Sequence, residues 1–122
     1  MMAEQQSVAS IGNISELTGY AKVLRDKEYG AKIKLGINSY DDVGTSAGRL
    51  GITFLDNSIV RLTEHSKLVI DEYIYDPDPS KSKMALKFAS GTARFITGGL
   101  GKINKENIFL STPTAQISIR GT

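Results

Sequence analysis

The punctuation of this chain constrains its fold more than any single motif. Clusters of Gly, Asp, Asn, Ser and Pro recur about every eight to twelve residues, and the runs between them are short and alternate apolar with polar side chains. No long stretch carries the 3.6-residue apolar period of an amphipathic helix. The combination predicts an all-β fold of roughly eight to ten short strands, a β-sandwich or a β-solenoid-like stack. No internal repeat is legible, which disfavours a regular array.

The runs can be placed one by one. Ile14 to Leu17 predicts a turn of helix capped by Asn13, with Glu16 three residues on. Residues 1–18 are expected as a loose arm and residues 19–122 as the β domain. Ala31 to Ile37 alternates apolar residues with Lys or Gly, a strand pattern. Leu50, Ile52 and Phe54 run into Asp56-Asn57-Ser58 and return as Ile59-Val60-Arg61-Leu62. This is a hairpin signal, because Asp and Asn tolerate the positive φ of primed turns. Along Lys67 to Tyr75, period-2 alternation puts Leu68, Ile70, Glu72 and Ile74 on one face and Val69, Asp71, Tyr73 and Tyr75 on the other. Pro77 and Pro79, which lack an N–H, end that run. Met84, Leu86 and Phe88 alternate next; Ser90-Gly91 turns, and Thr92 to Ile96, Asn107 to Ser111 and Gln116 to Arg120 supply further strands. The expected core is Leu50, Ile52, Phe54, Leu62, Leu68, Ile70, Leu86, Phe88, Phe95, Ile108, Leu110, Ile117 and Ile119.

Composition narrows the function classes. A chain of 122 residues makes one domain, burying roughly two-thirds of its unfolded surface. The net charge of +2 implies no nucleic-acid footprint. With no Cys, disulfides and thiolate metal sites are excluded. The N-terminus as written has neither a basic nor an apolar leader region, and no run approaches a membrane span. An intracellular or virion location is therefore expected, or the periplasm if a leader was removed. The closing Gly121 is a turn residue and predicts that the chain continues past Thr122.

Candidate chemistry is sparse. His65 is the single His, but its neighbour Ser66 should face the opposite side of a strand, so the two do not form a base and its nucleophile. Gly98-Gly99-Leu100-Gly101-Lys102 resembles a phosphate loop only in part: Ile96 and Ile103 stand where Gly and Ser or Thr are needed. Asp76, Asp78 and Ser80 alternate like calcium-loop ligands, yet Pro77 and Pro79 interrupt them and Lys81 and Lys83 add repulsion. Lys81, Lys83 and Lys87, with Lys102 and Lys105, are largely offset by Asp76, Asp78 and Glu106, and read as solvated faces. Tyr73 and Tyr75 on one strand face near these lysines give a weak case for stacking on a single strand of nucleic acid. Arg120 alternates with Ile117 and Ile119, and its expected partner is Asp56 or Asp42.

Several stretches, in order, resemble the FecR domain family: Asp42-Val43-Gly44-Thr45-Ser46, Ile52 through Ser58, Leu62 through Ser66, Gly91-Thr92-Ala93-Arg94-Phe95, and the ending Thr112-Pro113 through Arg120-Gly121-Thr122. The family pattern has Asp-Gly-Ser at the hairpin; here Asn57 stands in the Gly position. The positions that carry the resemblance are Asp56, Asn57, Ser58, Gly91, Thr112, Pro113, Arg120, Gly121 and Thr122, all read as structural. The resemblance implies a non-catalytic β-rich domain of the kind that, in bacterial envelope regulators, sits outside the inner membrane and relays receptor occupancy to a sigma factor. The resemblance also implies a use of such domains in phage-encoded virion proteins.

The expected function is a non-enzymatic protein–protein interaction module in a larger assembly such as a phage virion, or alternatively the extracytoplasmic sensory domain of a transmembrane regulator. Protein partners or a homo-oligomer are expected, docked through the unpaired groups of edge strands. No cofactor, metal, nucleic acid or inserted membrane segment is expected.

Overall fold

The computed structural model describes residues 10–98, 103–112 and 116–120. Twelve strands follow one another: β1 (Gly12–Thr18), β2 (Ala21–Leu24), β3 (Glu28–Gly30), β4 (Gly36–Ile37), β5 (Asp42–Thr45), β6 (Arg49–Phe54), β7 (Ile59–Leu62), β8 (Lys67–Ile74), β9 (Lys83–Ser90), β10 (Thr92–Ile96), β11 (Ile108–Ser111) and β12 (Gln116–Arg120). They form two six-stranded sheets, ordered β12-β10-β7-β6-β1-β4 and β11-β9-β8-β5-β2-β3. The fold is all-β, as the spacing of turns implies.

The chain repeatedly crosses from one sheet to the other, and the inward faces of both make a common core. Ile14, Ile52, Phe54, Val60 and Phe95 from the first sheet meet Val23, Val43, Leu68, Ile70, Leu86 and Phe88 from the second. Each such side chain contributes roughly 1.5–3 kcal/mol on burial. Phe54 and Tyr73 stack across the sheets with ring centroids 5.2 Å apart. Of the expected core, the nine residues from Leu50 to Phe95 are buried. Ile108 and Leu110 are only partly buried, and the side chains of Ile117 and Ile119 lie outside the described residues.

Three expectations are corrected. Residues 12–18 were expected in a loose arm with a helical turn over Ile14 to Leu17. They form β1 instead, paired antiparallel with β6. A bulge between Ile14 and Glu16 shifts the phase, so that Ile14 and Leu17 both turn inward and Glu16 points out. The strand expected over Ala31 to Ile37 is reduced to β4. The chain here passes from the second sheet to the first, and a turn with Lys34 at φ 75° makes the crossing. The alternation read over Lys67 to Tyr75 fails at a second bulge, between Ile70 and Glu72. Tyr73 is therefore inward and 4% exposed, while Ile74 is outward and 44% exposed.

The crossings are tied by buried polar groups, as buried backbone requires. At one end the Ser66 hydroxyl donates to the Thr92 carbonyl and accepts from the Thr92 N–H, both at 3.1 Å. Gly91, at φ 83°, lies against Ser66 so closely that a Cβ there would collide with the Ser66 side chain. At the other end, Tyr73 and Ser58 donate to the buried carboxylate of Asp56 at 2.8 and 2.6 Å. Beside β2, Arg25 holds Asp41 through two bonds of 2.7 Å.

The C-terminal strands repeat the path before them. β11 runs parallel to β9, with Ile108 opposite Met84, and β12 runs parallel to β10, with Gln116 opposite Thr92. The offset is 24 residues in both sheets (108 − 84 and 116 − 92). One β-solenoid-like rung therefore stacks on another at this end of a sandwich.

Candidate functional site

Two surfaces combine exposure with organised chemistry: the open end of the stack and the outer face of the first sheet.

At the open end, β11 and β12 are the outermost strands of their sheets. Their outward backbone groups have no strand partner among the described residues. The sequence of β11, Ile-Phe-Leu-Ser, carries no charge to discourage pairing. Phe109 is 52% exposed, with the Lys83 ammonium 5.7 Å from its ring centroid. Ile108 and Leu110 face the core yet stay half-buried, because nothing described covers them from beyond the last rung. The opposite end is different: β3 and β4 are three and two residues long, too short to template much pairing.

On the outer face of the first sheet, the pairing registers align Glu16 with Gly51, Gly51 with Arg61, and Arg61 with Arg94. The β1 bulge is what brings Glu16 into this row. Gly51 has no side chain, so Glu16 reaches across it and accepts from Arg61 at 2.9 and 3.1 Å. This bidentate contact holds the Glu16 carboxyl below the usual carboxylate range and raises Arg61. The neighbouring row contains Thr18, Arg49, Thr63 and Thr92; Arg49 donates to Glu64 at 3.2 Å. The two rows, Gly51 and Glu64 apart, line a groove of about 580 Å³, with Leu17, Leu50, Leu62 and Ala93 between them.

Four of the positions that carry the family resemblance sit at turns and close crossings. Asp56, Asn57 and Ser58 form the β6–β7 turn, with Asn57 at φ 69°, and Gly91 forms the close crossing described above. Thr112 follows β11. Arg120 is placed by its backbone opposite Ile96; its side chain, with Pro113, Gly121 and Thr122, lies outside the described residues. Of its two expected partners, Asp42 pairs with Lys67 at 3.3 Å, and Asp56 carries the Tyr73 and Ser58 bonds. His65 sits in a turn at φ 54°, while Ser66 is buried and bound to backbone. Asp78 caps the short 3-10 turn Pro79–Lys81 through Ser80; Asp76 accepts from the Asp78 N–H at 2.9 Å. Among the described residues no cluster of three or more His, Asp or Glu is arranged to hold a metal. Gly99 to Lys102 lie outside the described residues. Tyr73 cannot form a stacking platform with Tyr75: the bulge turns it into the core, where burial and then its bond to Asp56 push the phenol pKa far upward.

Three features escaped the sequence reading: the Arg25–Asp41 pair, the arginine groove and the 24-residue rung. Only the last left a trace, the apolar matches of Met84 with Ile108 and Leu86 with Leu110 at that spacing.

The FecR protein family matches residues 41–122, about the whole of the chain from the Asp41 ion pair through both C-terminal rungs. The chain belongs to the FecR family. No curated protein and no solved structure matches it. No described helix is long and apolar enough to cross a membrane.

Proposed function

We propose that this FecR-family chain is a non-enzymatic protein-interaction module that works as a structural or adaptor component of a larger assembly, such as a phage particle. The observation that carries the reading is the open rung. Two parallel edge strands, uncharged on β11, end a stack whose inward Ile108 and Leu110 stay half-covered. A strand pair from another polypeptide would satisfy the outward backbone groups and cover those side chains in one step.

Family membership favours a second setting, an extracytoplasmic sensory domain whose partner is a receptor segment. Sedimentation from micromolar to millimolar chain, combined with amide hydrogen exchange, separates the two. In an assembly component, oligomers form with concentration, and the β11 and β12 amides gain about tenfold protection or more. A sensory domain stays monomeric at every concentration, and its open edge gains that protection only when an extended peptide, here one copying residues 105–122 as a generic strand, is added. Phe109→Lys, which places a charge on the edge without touching the core, abolishes either gain. A monomer whose β11 and β12 exchange is unchanged by concentration and by the peptide refutes strand addition.

A further inference from the structure

The groove on the first sheet has an electrostatic asymmetry that the fold does not need. Arg61 and Arg94 are direct register partners on neighbouring strands, and like charges so placed repel. The fold neutralises only one of them. Glu16, re-aimed by the β1 bulge, takes both prongs of Arg61, and Glu64 takes Arg49. Arg94 is exposed and has no carboxylate partner among the described residues. Thr63 and Thr92 stand beside it in the next row; the Thr63 hydroxyl donates to the Thr92 carbonyl at 3.3 Å, which leaves the Thr92 hydroxyl as the donor nearest Arg94. The groove thus contains the unpaired guanidinium fork of Arg94 and a second arginine beside it, while Glu16 fills the space over Gly51.

We propose that this groove binds an acidic segment of a partner polypeptide, with one Asp or Glu carboxylate seated on Arg94. A planar guanidinium matches a carboxylate through two parallel bonds, and the Glu16–Arg61 contact shows that carboxylate–guanidinium pairing fits the spacing of this face. A nucleic-acid strand fits less well. Glu16 and Glu64 would repel its phosphates, and no aromatic side chain lines the groove for bases to stack on. The inference rests on the reading of the chain as a protein-binding module but not on strand addition, because the groove lies on β1, β6, β7 and β10 rather than on the open edges.

The test is titration of the full chain with acetyl-hexaglutamate amide, followed by backbone amide shifts. Saturable shifts are expected around Arg61, Thr63, Thr92 and Arg94, weakening as salt is raised. Arg94→Glu is expected to weaken binding by about tenfold or more, and Arg94→Gln by less. Both variants should melt no lower than the parent chain, since each removes a like-charge contact with Arg61. The proposal is overturned if hexaglutamate gives no saturable shift, if shifts fall outside the groove, or if Arg94→Glu binds as well as the parent. It is also overturned if inorganic phosphate or an oligothymidylate occupies the groove more tightly than hexaglutamate. Failure here with intact strand addition at β11 rejects the groove alone; failure of both rejects the interaction-module reading.

Discussion

Removing one oxygen, in Tyr73→Phe, tests whether the Asp56 network joins the two sheets. The hydroxyl donates to Asp56 Oδ1 at 2.8 Å and accepts from the Asp56 N–H at 3.1 Å. Asp56 is 1% exposed, so water cannot replace either contact cheaply. A hydrogen bond to a charged group contributes about 1.5–3 kcal/mol, and an orphaned buried N–H adds to the loss. Tyr73→Phe keeps the ring stacked on Phe54 and should cost about 2–3 kcal/mol at pH 7, lowering Tm by roughly 6–12 °C in a domain of this size. The pH dependence separates this cause from simple repacking. The phenol pKa is raised in the folded state by burial and by Asp56, against about 10 in the unfolded chain. A group with a raised folded pKa stabilises fully below its unfolded pKa, and the stabilisation falls as pH rises beyond it. The loss is about 1.4 kcal/mol per pH unit. Phe cannot titrate, so the gap between parent and variant should narrow by about 1 kcal/mol between pH 10 and 11, where the unfolded phenol passes from half to nearly full ionisation. Urea denaturation followed by circular dichroism at pH 7, 9, 10 and 11 measures it. A gap below about 0.5 kcal/mol at pH 7, or one that stays constant to pH 11, refutes the argument.

Two further outcomes follow from the ion pairs. Arg25→Ala should cost about 2–4 kcal/mol, because Asp41 is fully buried and keeps only the Asn38 N–H as a donor among the described residues. Arg25→Lys should recover only part of this, since one ammonium cannot reproduce the two bonds to Asp41 and the bond to the Gly36 carbonyl; denaturation midpoints at unchanged m-value report both. The exposed Glu16–Arg61 pair should contribute only about 0.2–1 kcal/mol. Because the folded Glu16 pKa is lowered by Arg61, that contribution is present above the unfolded Glu pKa and disappears as pH falls through the folded value. Glu16→Gln should therefore differ from the parent at neutral pH and match it in acid, as thermal melts will show.

How much of this was legible follows from what each signal encodes. The β6–β7 hairpin could be read directly, because Asp56-Asn57-Ser58 supplies its own turn chemistry and Asn57 takes the positive φ. The inward face of β9 could also be read, since Met84, Leu86 and Phe88 alternate without interruption. Tyr73 could not. A bulge is a mismatch between two strands, and the residues of β8 alone do not say that β9 will pair around Asp71 with a shift. The same holds for Glu16, which looked like a helix-capping residue until β6 fixed its strand and its phase. The arginine groove was hidden for a related reason: alternation says that Arg61 and Arg94 point outward, but only strand order makes them neighbours.

By itself, then, the sequence determined the class: short alternating runs between frequent turns, packing as β-structure around one apolar core. Tertiary structure decided which sheet each run joins, where bulges reset the faces, and which distant charges meet. It also decided that the last two strands stack as a rung 24 residues beyond the one before. The division is physical. A two-residue period is a local property that each strand carries alone, whereas register and strand order arise only when separate strands share hydrogen bonds.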